Sequence, residues 1–335
     1  MKKILNDPRS FVDEVMDGIL AAYGDRLEGY NGDPRVLVSR SRKRDGRVGV
    51  ITGGGSGHLP VFLGYVGEGM LDGCAVGNVF ASPSAKRMAE TIRACDNGAG
   101  VLCLFGNYSG DGLNFDMACE DVDFDDIKTR IVKVRDDVAS SPRETAELRR
   151  GVAGMVYAFK IAGAAAAELR SLDEVAAAAE KALANTRSMG VALAPCVIPE
   201  VGTPSFTIAD DEMEWGMGIH GEPGVERSKL ADADTVADRV LDTILKDMPL
   251  SRGDTVSVMV NGLGATSQEE LFIVYRRLSQ RFSALGVEVF MPHVGEFATS
   301  MEMAGLSVSV IKLDDELKAL LRAPASTPFY TNHNK

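Results

Sequence analysis

Arg47-Val48-Gly49-Val50-Ile51-Thr52 runs straight into Gly53-Gly54-Gly55-Ser56-Gly57-His58. The first six residues form a short apolar run closed by glycines, which reads as a strand feeding a sharp turn. Glycines there let the backbone approach a ligand and aim its N–H groups at an oxyanion or phosphate. The loop fits no named cradle. A Walker A sequence closes on Gly-Lys-Ser/Thr, and the dinucleotide fingerprint needs glycine where His58 stands. The nucleophile elbow G-x-S-x-G also asks for glycine at 58. The structural alternative is a tight turn with an incidental histidine. The entropic cost of so dense a glycine run favours a ligand-facing loop.

Working outward, the pattern recurs. Residues 74–79 read as a strand and 84–95 as a helix opening at Ser82-Pro83. Residues 100–106 read as a strand ending at Asn107-Tyr108-Ser109-Gly110-Asp111, and 130–134 as a further strand. Upstream, Phe11, Val12, Val15, Ile19 and Leu20 have helical spacing within 10–23, and 36–39 is another short apolar run. Strands alternating with helices predict an α/β sheet covered on both faces. Ligands of such sheets bind beyond the carboxyl ends of the strands, so loops 53–58 and 107–111 are expected to converge on one crevice. His58 and Asp111 are then candidate acid/base groups. The alternative for Asp111 is a cap on a helix over 112–120.

A helical tract spans about 148–186, with a break near Ser171-Leu172-Asp173 and Asp173 as N-cap. Its apolar stretch, Gly151 to Ala167, holds Lys160 near the middle and falls short of the ~20 residues of a membrane span. It reads as a buried helix. The second half restarts with a strand at 190–196, a helix at 233–246, a strand at 255–260, a helix at 267–284, and strands at 287–291 and 306–312. The polar tail beyond Ala323 is expected to fray. The fold expectation is two α/β domains, 1–187 and 188–335, each a mixed or mostly parallel sheet flanked by helices.

The 335 residues carry a net charge of −12, which argues against nucleic acid and anionic membranes as partners. Five cysteines, none in C-x-x-C spacing, point away from a zinc site or disulfide framework and toward a reducing, cytoplasmic setting. The N-terminal apolar stretch is too short for a signal peptide and is broken by Asp7 and Pro8.

Met217-Gly218-Ile219-His220-Gly221-Glu222-Pro223-Gly224 is a third candidate. A neutral imidazole among glycines is accessible and can attack a carbonyl carbon. H-G-E lacks the helical H-E-x-x-H spacing, so no metal is assigned. His293 follows a strand and reads as its end, and His333 lies in the tail. Asn261-Gly262-Leu263-Gly264-Ala265-Thr266 reads as a structural turn, with Thr266 or Ser267 capping the next helix.

Together with Pro204-Ser205-Phe206 and Glu212-Met213-Glu214, these segments resemble the dihydroxyacetone kinase K-subunit family, in family order across nearly the whole chain. The resemblance implies that His220 bonds covalently to the substrate carbonyl carbon as a hemiaminal. It implies backbone contacts to the sugar from Gly54 and Gly55, with His58 and Asp111 as the acid/base pair. It also implies a homodimer. No cofactor is expected on this chain. ATP or ADP with Mg is expected on a separate helical L-type subunit, because single-chain members continue into a nucleotide domain where this sequence stops. Dihydroxyacetone-specific members usually carry an acidic residue after GGGSGH. Here it is Leu59, which raises tetruloses such as erythrulose as substrates. Two other readings stand beside this one: a non-catalytic ketose sensor, and a serine hydrolase using Ser56, His58 and Asp111.

Overall fold

The computed structural model describes residues 2–333. The chain divides into two compact units, each built from non-consecutive segments. One comprises Met1–Val134, Tyr157–Ala182 and Ala319–Lys335, and the other Arg135–Val156 and Leu183–Lys318.

The first unit opens with helix α1 (Phe11–Tyr23), followed by β1 (Leu27–Tyr30) and β2 (Asp33–Ser39). Then come β3 (Gly49–Ser56), β4 (Gly73–Val79), α2 (Ala85–Cys95), β5 (Val101–Gly106), α3 (Ser109–Asp123) and β6 (Thr129–Val134). The sheet order is β1-β2-β4-β3-β5-β6, parallel from β4 through β6 and antiparallel at β1 and β2. One face is sealed by α2 and α3, where Met88, Ile92, Phe105, Phe115 and Val122 are fully buried. Each such side chain contributes about 1.5–3 kcal/mol through burial.

Strand β3 lies between β4 and β5 although β4 follows it in sequence. The chain steps one way from β3 to β4 and then crosses back, so a topological switch point falls between β3 and β5. The ladders diverge there. Pairing of β3 with β5 ends at Ile51–Cys103, whereas pairing with β4 runs on to Ser56–Val79.

The glycine run is therefore not the turn expected from the sequence. Gly53, Gly54 and Gly55 continue β3, pairing with Ala75, Val76 and Gly77. Glycine is needed there because other groups pack onto the strand. A Cβ on Gly54 would lie 2.5 Å from the Phe62 ring, and one on Gly55 2.6 Å from the Ala81 nitrogen.

The helical tract begins later than expected, as α4 (Met155–Ala167), and resumes as α5 (Leu172–Ala184). Before α4, the N–H groups of Val152 and Gly154 donate to the buried Asp136 carboxylate, which holds that stretch out of the helix. Helix α4 is buried, as expected, and Lys160 Nζ donates to the Leu320 carbonyl at 2.7 Å. Burial lowers that ammonium to about 8. The cap of α5 is Ser171 rather than Asp173: its backbone N–H and hydroxyl donate to Glu174, whose N–H donates back to the hydroxyl.

The second unit contains β7 (Thr186–Ala194), β8 (Glu212–Trp215), β9 (Glu226–Lys229), α6 (Ala233–Asp247) and β10 (Thr255–Gly262). It continues with α7 (Gln268–Leu285), β11 (Glu288–Val289), β12 (His293–Gly295) and β13 (Ala304–Leu313). Its sheet is mixed, in the order β11-β10-β13-β7-β8-β9, with β12 also beside β10. Most neighbours are antiparallel; β11 and β12 run parallel to β10. Helix α7 buries Leu271, Val274, Leu278 and Phe282, one helical stripe, against Val256, Val258 and Val260 of β10. A capping box between Ser267 and Glu270 starts it.

Helix α8 (Asp315–Arg322) follows, and the tail does not fray as expected. Strand β14 (Ala325–Ser326) pairs with β15 (Thr331–Asn332), and Thr327 Oγ1 donates to the Gly64 carbonyl. His333 is exposed. Among the described residues, no helix is long and apolar enough to cross a membrane.

Candidate functional site

In the first unit, the loops after β3 and β5 leave the sheet on either side of the switch point. His58 is buried, with 1% of its surface exposed. Its ring stacks on Phe80 at a centroid distance of 4.7 Å and meets Phe62 edge-on at 5.9 Å. Both phenylalanines hold left-handed backbone conformations, φ 70° at Phe62 and 56° at Phe80. Bulky residues rarely adopt these, and such strain gathers where a structure must fix a working group. Ser56 Oγ donates to the Gly77 carbonyl at 2.9 Å, so the hydroxyl is committed to the sheet and is a poor nucleophile for the hydrolase reading.

Helix α3 starts at Ser109, three residues ahead of the expected start, with Tyr108 as its N-cap. Asp111 thus sits inside the first turn and is not the cap. The helix N-terminus stabilises a carboxylate there. Its buried carboxyl and His58 are the two titratable side chains the sequence assigned to this end of the sheet. Asn114 ties α3 to the segment after β4, donating to Ser82 Oγ and the Pro83 carbonyl. Sequence reasoning passed over Lys133 on β6, whose Nζ lies 3.1 Å from where a Cβ on Gly112 would stand. It brings a cation beside the turn that carries Asp111.

In the second unit, His220 stands in a glycine turn closed by Gly221 N–H donating to the Gly218 carbonyl at 3.1 Å. Glu222 grips the histidine twice. Its Oε2 accepts from the His220 backbone N–H at 2.9 Å, and its Oε1 lies 2.8 Å from ring Nδ1. A carboxylate at Nδ1 holds the proton on that nitrogen and makes Nε2 the basic one of the two ring nitrogens. Burial pushes the Glu222 carboxyl up, but the His220 hydrogen bond and charge outweigh it and hold it near 2. The His220 side chain is about one-fifth exposed, at 22%, which gives a ligand access without dissolving the pair in water.

The turn is braced from below. A Cβ on Gly218 would fall 2.6 Å from an Arg150 guanidinium nitrogen and closer still to Glu222. Arg150 pairs with Asp137 and donates to the Gly216 carbonyl at 2.9 Å. Glu214 on β8 accepts from the Gly224 N–H at 2.8 Å, and Ser205 and Phe206 pack beside Gly221. Glu222 escaped the sequence reading, although its signal, a carboxylate two residues after an accessible histidine, was present.

The remaining candidates are structural. Asn261 donates to the Ala298 carbonyl and Ser307, and accepts from the Phe297 and Ala298 N–H groups. Thr266 Oγ1 donates to the Gly305 carbonyl and accepts from its N–H. His293 opens β12, meets Phe297 edge-on, and is lowered to about 4 by burial.

These two constellations, each on a mixed α/β unit, accompany a match of the Dak1 domain to residues 17–329. The chain belongs to the Dak1 domain family. It is 44% identical over 330 residues to the dihydroxyacetone-binding subunit DhaK of PTS-dependent dihydroxyacetone kinase 2 from Listeria innocua, covering 98% of this chain and 99% of that one. It is also 44% identical over 335 residues to the L-erythrulose 1-kinase of Mycolicibacterium smegmatis, covering 98% of this chain but 58% of that relative. Among solved structures, the dihydroxyacetone kinase operon co-activator Dha-DhaQ superposes with a TM-score of 0.89 at 30% identity, covering 96% of this chain and 98% of that one.

Proposed function

We propose that this chain is the ketose-binding subunit of a short-chain ketose kinase. It holds dihydroxyacetone or erythrulose covalently on His220 and presents the terminal hydroxyl to a separate L-type subunit carrying the Mg-bound nucleotide. The observation that carries the reading is the double grip of Glu222 on His220, through the backbone N–H and ring Nδ1. As Nε2 bonds to the ketone carbon, the carbonyl π pair moves onto oxygen, which takes up a proton to give the hemiaminal. The positive charge left on the imidazole faces Glu222, which stays ionised throughout the physiological range.

A covalent bond suits the recognition problem. Dihydroxyacetone and glycerol differ by a carbonyl against an alcohol, and so small a ligand offers few other contacts. The bond also fixes the hydroxyl for in-line attack, where positioning and electrostatics dominate phosphoryl transfer. Asp111 accepts the hydroxyl proton and His58 shares in the transfer, with the Gly54 and Gly55 backbone contacting the sugar. The subunit works as a homodimer.

The test is a phosphorylation assay with an L-type partner against C3 and C4 ketoses, with ATP and with a phosphoenolpyruvate-driven phosphotransfer system. A crystal soaked with the best ketose accompanies it. Continuous density from Nε2 to the ligand carbon is expected. A bound but non-bonded ketose would overturn the covalent step.

A second reading, a ketose sensor without turnover, draws support from the 30% identity to a protein named as an operon co-activator. Asp111→Asn separates the two, since only the kinase reading predicts that phosphorylation collapses while ketose binding persists.

A further inference from the structure

Gly218 stands just before Ile219 and His220, and its backbone lies outside the left-handed region, so conformation alone does not call for glycine there. What is missing is room for a side chain. The point where a Cβ would stand is taken from two sides, by Arg150 Nη1 at 2.6 Å and, closer still, by Glu222 Oε2. A guanidinium and a carboxylate converging on one such point are less than about 5 Å apart, near enough for each to stabilise the other's charge. Oε2 is the oxygen that accepts from the His220 backbone N–H, which leaves Oε1 for ring Nδ1.

The arginine is itself fixed before it reaches Glu222. Its Nε donates to Asp137 Oδ2 at 3.0 Å, Nη2 lies 2.8 Å from the same oxygen, and Nη2 also donates to the Gly216 carbonyl. The Arg150 backbone N–H donates to Ser140 Oγ, and its carbonyl accepts from the Asp137 N–H. Asp137 is held in turn by the Ala139 N–H, which donates to Oδ1. The result is a row of alternating charge: Asp137, Arg150, Glu222 and then the imidazole. Side-chain exposure climbs from 2% at Asp137 to 14% at Arg150 and 30% at Glu222, so the row is anchored at its buried end and loosest at the carboxylate.

We propose that Arg150 is a positioning residue for His220, acting on Glu222 through the opening that Gly218 leaves. The guanidinium draws Oε2 over the Gly218 Cα, and that orientation keeps Oε1 against ring Nδ1. Without the cation, a flexible and partly exposed carboxylate turns to water as readily as to the ring. With it, one orientation is favoured, and the imidazole keeps its proton on Nδ1. Glycine at 218 is then part of the site: a side chain there would part the arginine from the carboxylate. The consequence for turnover rests on the ketose reading of His220, whereas the consequence for the ring proton does not.

The experiment uses the full chain with nitrogen-labelled histidine, read by long-range proton–nitrogen correlation, with the His220 ring assigned by its loss in His220→Gln. The wild-type ring should show the Nδ1–H tautomer. Arg150→Met removes the charge at similar length, and Gly218→Ala wedges a methyl between the two groups. Both should raise the Nε2–H fraction. In ketose phosphorylation with the L-type partner, both should raise KM for the ketose by up to about 10²-fold with kcat at saturation held. A tautomer unchanged in both variants would overturn the proposal. So would a fall in kcat matching the rise in KM, which marks a mere brace of the fold. A shifted tautomer in a chain whose wild type phosphorylates no ketose would overturn the ketose reading and leave the positioning role standing. If Arg150→Met or Gly218→Ala does not fold, as circular dichroism would show, Arg150→Lys decides. Its single ammonium can pair with Asp137 but cannot also present a second nitrogen at Gly218, so the Nε2–H fraction should still rise.

Discussion

The two glycine-flanked histidines are held in opposite ways. His58 is sealed, its ring gripped by Phe80 and Phe62 on strained backbone, behind a strand that has no room for side chains. His220 is partly open, its ring fixed by one carboxylate that also grips its backbone. Apolar walls hold a ring in place by packing. A carboxylate at Nδ1 fixes the proton and turns the far nitrogen into a nucleophile. The comparison teaches that glycine density marks where a histidine is exposed to chemistry, whereas the second neighbour decides which chemistry.

The sharpest break would come from removing each ring. His220→Ala should eliminate the ketose adduct, seen as a missing mass increment after borohydride-free native mass spectrometry, and cut phosphorylation by about 10³-fold or more. Asp111→Asn should leave the adduct intact and cut phosphorylation by about 10²-fold, the usual weight of a proton-transfer group. Equal loss of adduct in both variants would erase the distinction drawn between the two regions.

How far these regions could be read in the sequence follows from what each signal depends on. The β3 run was legible as a strand up to Thr52, because apolar residues carry the period. It stopped being legible at Gly53, because glycine has little intrinsic strand preference and the packing of Phe62 and Ala81 against it is set by distant residues. Strands β8 and β9 were missed for a related reason: Glu212–Trp215 and Glu226–Lys229 are too short and charged to show alternation. The histidines themselves were legible. Their partners were not, because Phe80 lies far along the chain from His58, and Glu222 looked like one more acid in an acidic stretch. The tail misled because its pairing of Ala325–Ser326 with Thr331–Asn332 rests on a buried Thr327 rather than on any apolar run.

The walls around His58 can be tested by stability. Gly54→Ala places a methyl 2.5 Å from the Phe62 ring, and overpacking of this kind costs about 1–3 kcal/mol. A lowered midpoint in urea with an unchanged slope is expected. The grip on His220 can be tested by pH. The Glu222 carboxyl is depressed in the folded chain, so it contributes stability that is present above the unfolded carboxylate range of about 4.3 and lost as pH falls toward 2. Glu222→Gln should flatten the acid limb of the stability curve over that window. An unchanged limb would show that the carboxylate does not hold the ring.

The smallest expected effect concerns the residue between the strand-end histidine and the strained phenylalanine. Leu59 follows His58 directly and is half-buried. An apolar side chain there offers no hydrogen bond to a hydroxyl, so it tolerates the extra hydroxymethyl of a tetrulose without rewarding a triose. Leu59→Glu supplies an acceptor and a charge, and one such contact shifts discrimination by about tenfold. The ratio of kcat/KM for dihydroxyacetone over erythrulose should therefore rise by that factor, with the His220 adduct still forming on both. An unchanged ratio would move substrate choice away from the sealed histidine's loop and onto the open histidine's own surroundings, where Ser205 and Phe206 pack beside Gly221.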